Sequence, residues 1–286
     1  MGLLKLLVHP LVLSTLAFLM IAIILAGLRV LTLIPPRRGP PRERARDEPG
    51  RILIVLGSGG HTAEMLAMIN KVTDILNVSI DHRTYVVSSG DAFSANKAKK
   101  FELDMAVRAE LEKREKEMVE ALREAMEENG TPLVPAQVLR KREARSAVST
   151  QKHSNADFTS SYSIATLPRA RHVHQSIFTA PFTAMYCLIA TLRLLAERPY
   201  PDIILTNGPG TAVIVVLASI LLRFFNFRGA NDRSKMRTVY VESFARVNTL
   251  SLSGRLLLLL VDRFLVQWKQ LEGCGGGKGE YKGVLV

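Results

Sequence analysis

Cysteine is nearly absent from this chain of 286 residues: Cys187 lies in an apolar run and Cys274 in a glycine-rich tail. Two isolated thiols build neither a disulfide framework nor a metal site, so a stapled secreted domain is excluded and a reducing compartment is expected. Acidic residues are outnumbered, 26 against 38 Lys and Arg, for a formal charge of +12. An anionic partner follows: a membrane surface, a nucleic acid or a phosphorylated substrate. The charged stretch 102–160 interleaves almost no aromatic rings with its charges. It reads as a solvated insertion, partly disordered, rather than a nucleic-acid arm, and no nucleic acid is expected.

The glycine loop of Arg51–Met65 also lacks something. Ile52 to Leu56 is a continuous apolar run that suits a strand buried on both faces of a parallel sheet. Gly57, Gly59 and Gly60 permit a tight turn, Thr62 is a candidate helix N-cap, and Ala63 to Ile69 reads as the following helix. Such a loop presents free N–H groups and the positive end of a helix dipole to a phosphate. Yet His61-Thr62 stand where an NTPase loop needs Lys and Ser/Thr. The next strand candidate, Thr84 to Val87, ends in Ser88-Ser89-Gly90, with no carboxylate for a nicotinamide ribose. The loop therefore holds a phosphate that belongs to neither ATP nor NAD, or it is a βα turn with no ligand.

Charge is also missing from Leu11 to Leu28, which with Val30 to Ile34 exceeds the roughly 20 residues that span hydrocarbon. The run is too long for a usual signal-peptide core of about 7–15 residues, and Ile24 and Leu25 make a poor cleavage site. A retained anchor over 1–34 is expected. Lys5 lies before the run, whereas Arg29, Arg37, Arg38, Arg42, Arg44, Arg46 and Arg51 lie after it. The positive-inside rule puts the short N-terminus in the lumen and the bulk in the cytosol. Residues 35–50, opened by Pro35-Pro36 and rich in Pro and Arg, read as a linker touching anionic headgroups.

Farther on, Phe101 to Glu128 predicts a solvated helix, and 131–160 loses periodicity. Ile177 to Leu192 is apolar but short for a span, so a buried or membrane-grazing helix is expected. Asp202 to Thr206 predicts a second buried strand, Asn207-Gly-Pro-Gly-Thr211 a second glycine turn, and Ala212 to Phe227 the helix behind it. Strand, glycine turn and helix thus occur twice. That repeat predicts a Rossmann-like, doubly wound α/β sheet over 51–286, with its ligand at the carboxyl ends of the strands. Thr238 to Glu242 and Arg263 to Gln267 predict further strands, and Leu250 to Val261 a packed helix. After the glycines of 273–279, Tyr281 to Val286 reads as a short apolar strand that must dock on something.

Six stretches together resemble one family: Val55–Leu66, Leu167–Ser176, Asn207–Thr211, Tyr240–Val247, Thr249–Gly254 and Asp262–Trp268. The chain resembles the membrane-anchor subunit of the UDP-N-acetylglucosamine transferase of the dolichol-linked oligosaccharide pathway. The resemblance covers the anchor and most of 51–271. It implies the N-terminal, acceptor-side half of a split GT-B fold, preceded by one transmembrane helix. A soluble subunit supplies the UDP-sugar half, and no cofactor is expected. The pair adds the second GlcNAc, in β1,4 linkage, to GlcNAc-diphospho-dolichol on the cytosolic face of the endoplasmic reticulum. The bacterial enzyme that completes the lipid II precursor is the single-chain analogue. The nuclear envelope is a second candidate location, and the enzyme adding the first GlcNAc a further candidate partner. Two departures stand out: the long charged insertion 102–160, and a glycine-rich tail where the family has an ordered stretch.

The acceptor diphosphate is then assigned to Gly57, Ser58, Gly59, Gly60, Thr62, Asn207, Gly208, Gly210 and Thr211, with Arg169 and Arg171 meeting either it or lipid headgroups. His61 is the first candidate base, or it only orients the loop. Glu242 is the second, as base or as acceptor of a sugar hydroxyl, or it is paired with Arg246 or Arg169. No carboxylate pair suggests retaining chemistry, and no metal is expected. The tail 272–286, through Tyr281, Val284, Leu285 and Val286, is the expected dock for the soluble subunit. A subunit inactive alone is expected. A purely non-catalytic recruiter is the alternative. A stand-alone transferase is disfavoured because about 235 residues after 51 leave little room for two domains of about 100–200 each.

Overall fold

The apolar run after Arg51 becomes β1 (Arg51–Val55), and its glycine turn leads into α2 (Gly60–Lys71). The computed structural model describes residues 2–33, 40, 49–72, 80–129, 162–171, 175–176, 178–197, 199–208 and 210–285. Most of the linker 35–50, the stretch 131–160 and Val286 lie outside the described residues. The other elements are α1 (Gly2–Leu33), β2 (His82–Ser88), α3 (Ala92–Asn129), β3 (Tyr162–Leu167), α4 (Ala180–Ala196), β4 (Ile203–Asn207), α5 (Thr211–Phe224), β5 (Arg237–Val241), α6 (Leu252–Leu257), β6 (Arg263–Val266) and β7 (Gly279–Tyr281).

All seven strands are parallel, in the order β3-β2-β1-β4-β5-β6-β7. The order reverses between β1 and β4, where Ile54 sits in register with Tyr85 on one side and Leu205 on the other. This is the expected doubly wound α/β sheet. Alternation along β1 serves two layers. Leu53 and Val55 pack with Leu195 of α4 and with Val215, Ala218 and Leu222 of α5. Each such side chain, when fully buried, contributes about 1.5–3 kcal/mol. Right-handed crossovers place α4, α5 and α6 on this face of the sheet and α2 on the opposite one.

The amino edge is locked by three aspartates, each just before a strand. Asp81 Oδ2 accepts from Gly50 N at 2.6 Å, Asp202 Oδ2 from Arg51 N at 2.9 Å, and Asp262 Oδ2 from Thr238 N at 2.9 Å. Each takes an N–H that strand pairing leaves over, and so fixes the register of neighbouring strands.

Among the described residues one helix, Val12–Leu33 within α1, is long and apolar enough to cross a membrane. Its end is tied to the sheet domain by two reciprocal caps. Arg29 donates to Phe224 O and Arg223 O, both at 3.0 Å, and Arg223 donates to Leu33 O at 2.9 Å. Each arginine satisfies carbonyls that the other helix leaves exposed at its C-terminus, where a cation also meets the negative end of the dipole.

Several boundaries differ from the sequence reading. β3 was not anticipated: its half-exposed edge pairs only with β2, so it shows no buried apolar run. α2 starts at Gly60 with Gly59 as its cap residue, so Thr62 is not the N-cap. α6 has six residues instead of the twelve of Leu250–Val261. Ser251 opens it by accepting from Gly254 N, and Asp262, locked to β5, requires the chain to turn back soon after. The last strand is Gly279–Tyr281, not 281–286, and two glycines of this stretch are required by close packing. A Cβ on Gly275 would lie 2.2 Å from Leu258, and one on Gly279 would lie 2.6 Å from Cys274 Sγ.

Residues 96–161 form a separate unit. Its described part is the continuation of α3, which carries exposed Leu103 and Leu111 and a Glu110–Arg114 pair at 2.9 Å. Beyond buried Glu102 and Met105 this is the solvated helix expected there, although it begins at Ala92 and not Phe101.

Candidate functional site

The two glycine turns meet at the switch point, as the strand order requires. His61, in the first turn of α2, is the piece that joins them. A Cβ on Gly57 would come within 2.7 Å of His61 Cβ, and one on Gly208 within 3.1 Å of His61 Cγ. Gly208 also has φ +90°, so a side chain there would be strained as well as crowded. Both glycines therefore make room for the imidazole. Gly59, at φ 62° and ψ −116°, makes the sharp entry to α2. Ser58, Gly59 and Gly60 are exposed, and the space where a Gly60 Cβ would stand is open. Helix geometry leaves the first-turn N–H groups of α2 and α5 without intrahelical partners, and both helices begin at the glycine turns.

A polar chain runs behind the loop. His61 Nδ1 lies 3.6 Å from Glu64 Oε2, an ion-pair contact rather than a hydrogen bond. Glu64 Oε2 accepts from Asn207 Nδ2 at 3.0 Å, and its Oε1 from Ser243 Oγ at 3.0 Å. The Glu64 carboxylate raises the His61 pKa against the opposing effect of burial, with Asn207 and the Glu242 charge adding to the rise. Burial pushes Glu64 the other way, but contacts from His61, Asn207 and Ser243 hold it below the ordinary carboxylate value. His61 Nδ1 and Asn207 Oδ1 are buried with no hydrogen-bond partner among the described residues. Such atoms cost free energy unless something completes them.

The remaining candidates occupy varied places. Thr62 is fully buried; its hydroxyl donates to Gly57 O and meets Ser94 Oγ at 2.7 Å, so it braces the loop from below. Thr211 Oγ1 meets Ser88 Oγ at 3.2 Å, and Gly210 abuts Ala170. The segment after β3 thus folds toward the second turn. On it, Arg169 Nε donates to Ser89 O at 2.9 Å and Arg171 to Gln175 O at 3.1 Å. Glu242 is 1% exposed. Its carboxylate accepts from Ser243 N, Ser251 N and Ser251 Oγ, each at 3.1 Å, and so holds the loop after β5. Gly254 makes room for it, since a Cβ there would lie 2.1 Å from Glu242 Oε2. Tyr281 lies in β7; Leu285 N donates to Gln267 Oε1 at 3.2 Å, and Val284 is exposed.

Glu64 and Ser243 were missed in the sequence. The signal for Glu64 was its i,i+3 spacing from His61, which sets the two on one helix face. Ser243 had no local signal. A depression of about 340 Å³ at the opposite edge is lined by Arg51, His82, Thr84 and Pro201. It lacks helix N-termini and glycine turns, the features that make the carboxyl edge the candidate site.

Fold and site together define a class: a doubly wound parallel α/β domain with twin glycine turns at its switch point, carried behind a membrane-length apolar helix. The chain belongs to the Alg14 family; it matches the family described as "Oligosaccharide biosynthesis protein Alg14 like" over residues 52–116 and 114–285. The UDP-N-acetylglucosamine transferase subunit alg14 of Aspergillus fumigatus is 37% identical over 248 residues, covering 72% of this chain and 92% of the relative. The subunit of the same name from Schizosaccharomyces pombe is 34% identical, covering 82% of this chain and 83% of its own length. The human one is 31% identical, covering 77% and 76%.

Proposed function

We propose that this chain is the membrane-anchoring and acceptor-binding subunit of an inverting UDP-GlcNAc transferase, inactive without a soluble subunit that carries the UDP-sugar. On this reading it works on the cytosolic face of the endoplasmic reticulum. The acceptor is GlcNAc-diphospho-dolichol, and the product carries a second GlcNAc in β1,4 linkage. The observation that carries the proposal is the polar chain His61–Glu64–Asn207–Ser243 set between two glycine turns. The turns offer N–H groups to the diphosphate. His61 takes the proton from the acceptor 4-hydroxyl as that oxygen attacks the anomeric carbon and UDP leaves. Since Nδ1 faces Glu64, Nε2 is the nitrogen left for this proton. Glu64 then stabilises the imidazolium, as a carboxylate behind a catalytic histidine does. Thr62 and Glu242, both buried and bonded within the chain, brace the two loops in this scheme.

The test is steady-state transfer from UDP-GlcNAc to a short-chain GlcNAc-diphospho-lipid, with subunit assembly followed by pull-down. Gly60→Leu puts a side chain into the open space over the loop and should raise the acceptor KM about tenfold or more with assembly intact. Full activity in an assembled Gly60→Leu complex would leave the chain as a recruiter only.

A further inference from the structure

The anchor and the site lie at opposite ends of α5. The arginine clasp holds the end of α1 against Arg223 and Phe224, whereas Thr211 opens the helix beside the glycine turns. Fourteen residues separate the two ends, about 21 Å at helical rise. If α5 stood upright on the membrane, a diphosphate buried in headgroups could not reach the turns. If α5 lay flat, it could.

The outward surfaces of this helical layer suit the flat arrangement. On α4, Phe182 (77% exposed), Met185 and Ile189 lie at i, i+3 and i+7, one stripe of the helix, and Phe178 (88% exposed) stands just before it. Arg193 continues the stripe at the anchor end. Leu217 and Leu221 make a parallel stripe on α5, and Leu252 and Leu256 of α6 extend it along the same face of the sheet. Neither α4 nor α5 contains an acidic residue. α5 packs against both α1 and α4, so the exposed layer is continuous with the membrane-length helix. An apolar surface of this extent marks an interaction face. Its continuity with α1, its lack of acid and its terminal arginine select lipid over protein.

We propose that the outer face of α4–α5–α6 rests in the bilayer surface as a second membrane contact, so that the acceptor's diphosphate enters the glycine turns from the membrane plane. This rests on the reading of α1 as a span. The clasp fixes the angle: it ties α5 to the end of α1 and stops the domain from hanging free on its linker.

The test uses the full chain, assembled with its soluble subunit, in phosphatidylcholine–phosphatidylserine vesicles. A Cys274→Ala background receives single nitroxide labels through Phe182→Cys, Phe18→Cys or Val72→Cys; Cys187 is buried and stays unlabelled. Val72 ends α2 on the other face of the sheet. The proposal expects lipid-soluble oxygen to relax the labels at 18 and 182, and a water-soluble nickel chelate to relax only the label at 72. A label at 182 reached by nickel while that at 18 is not would overturn the proposal and leave the anchor intact. A label at 182 shielded from both reagents would show a protein covering this face and also overturn it. A label at 18 reached by nickel would remove the anchor reading itself. As a second measure, Phe182→Asp should raise KM about tenfold for a long-chain acceptor in vesicles and leave KM for a short soluble acceptor unchanged. Equal effects on both acceptors would count against the bilayer contact.

Discussion

The two edges of the sheet treat polar groups in opposite ways. At the amino edge Asp81, Asp202 and Asp262 take up the leftover strand N–H groups. At the carboxyl edge His61 Nδ1 and Asn207 Oδ1 are buried without a hydrogen bond. Glycines there open space that side chains would fill. The first edge satisfies these strand N–H groups within the chain; at the second, these two atoms have no hydrogen-bond partner among the described residues. Doubly wound sheets place their ligands at the carboxyl ends of their strands, and the proposed function uses that end.

The largest expected effect belongs to the open edge. His61→Ala should lower turnover about 10²–10⁴-fold, roughly 3–5 kcal/mol of barrier, with a smaller loss of stability than Asp262→Ala causes. Steady-state kinetics with a parallel thermal melt checks both halves; a large loss of stability would erase the contrast between the edges.

The closed edge should behave in reverse. Asp262→Ala removes the partner of Arg237 and Thr238 at a site where the carboxylate is 6% exposed. Breaking such a buried pair should cost about 3 kcal/mol of stability. Activity per folded complex should be retained, as measured by chemical denaturation alongside turnover.

Glu64→Gln sharpens the assignment within the open edge. It should lower kcat/KM about 10–100-fold, the worth of one charged contact. The direction in pH is fixed by the sign of the shift. Glu64 raises His61 above 6.5, and the base works deprotonated, so activity in the parent falls as pH drops through that raised value. Removing the carboxylate should move this acid limb to lower pH. The same contact stabilises the fold fully below 6.5 and less as pH rises through the raised value. An unmoved acid limb would detach Glu64 from His61.

The smallest effect is expected at the sheet's last strand. Arg263 and Glu280 bridge β6 and β7 with side chains 54% and 33% exposed. In solvent such a pair contributes well under about 1 kcal/mol, so Arg263→Ala should shift a denaturation midpoint only slightly. A loss as large as that of Asp262→Ala would show that the closed edge extends to β7.

β1, β4 and β5 were legible because strands buried on both faces must be continuously apolar, and each ends in a glycine turn or a Glu-Ser pair. The turns Gly57–Gly60 and Gly208–Gly210 and the position of His61 were legible for the same local reason. β3 was not, because an edge strand with one neighbour needs no apolar run. The short α6 was not, because its length is limited by Asp262 bonding to β5, a contact 24 residues away in sequence.

What the sequence determined by itself is what depends on neighbouring residues: a membrane-length helix, a repeat of strand, glycine turn and helix, and an imidazole in the first of those turns. The i,i+3 spacing brings Glu64 to that imidazole locally, but only the tertiary structure decided which groups hold the carboxylate. Glu64 meets Asn207 across 143 residues and Ser243 across 179, and that meeting exists because the sheet sets β4 and then β5 beside β1. The docking of Arg29 and Arg223 onto each other's helix ends, 194 and 190 residues apart, was decided the same way. No local pattern encodes a contact whose partner is selected by strand order.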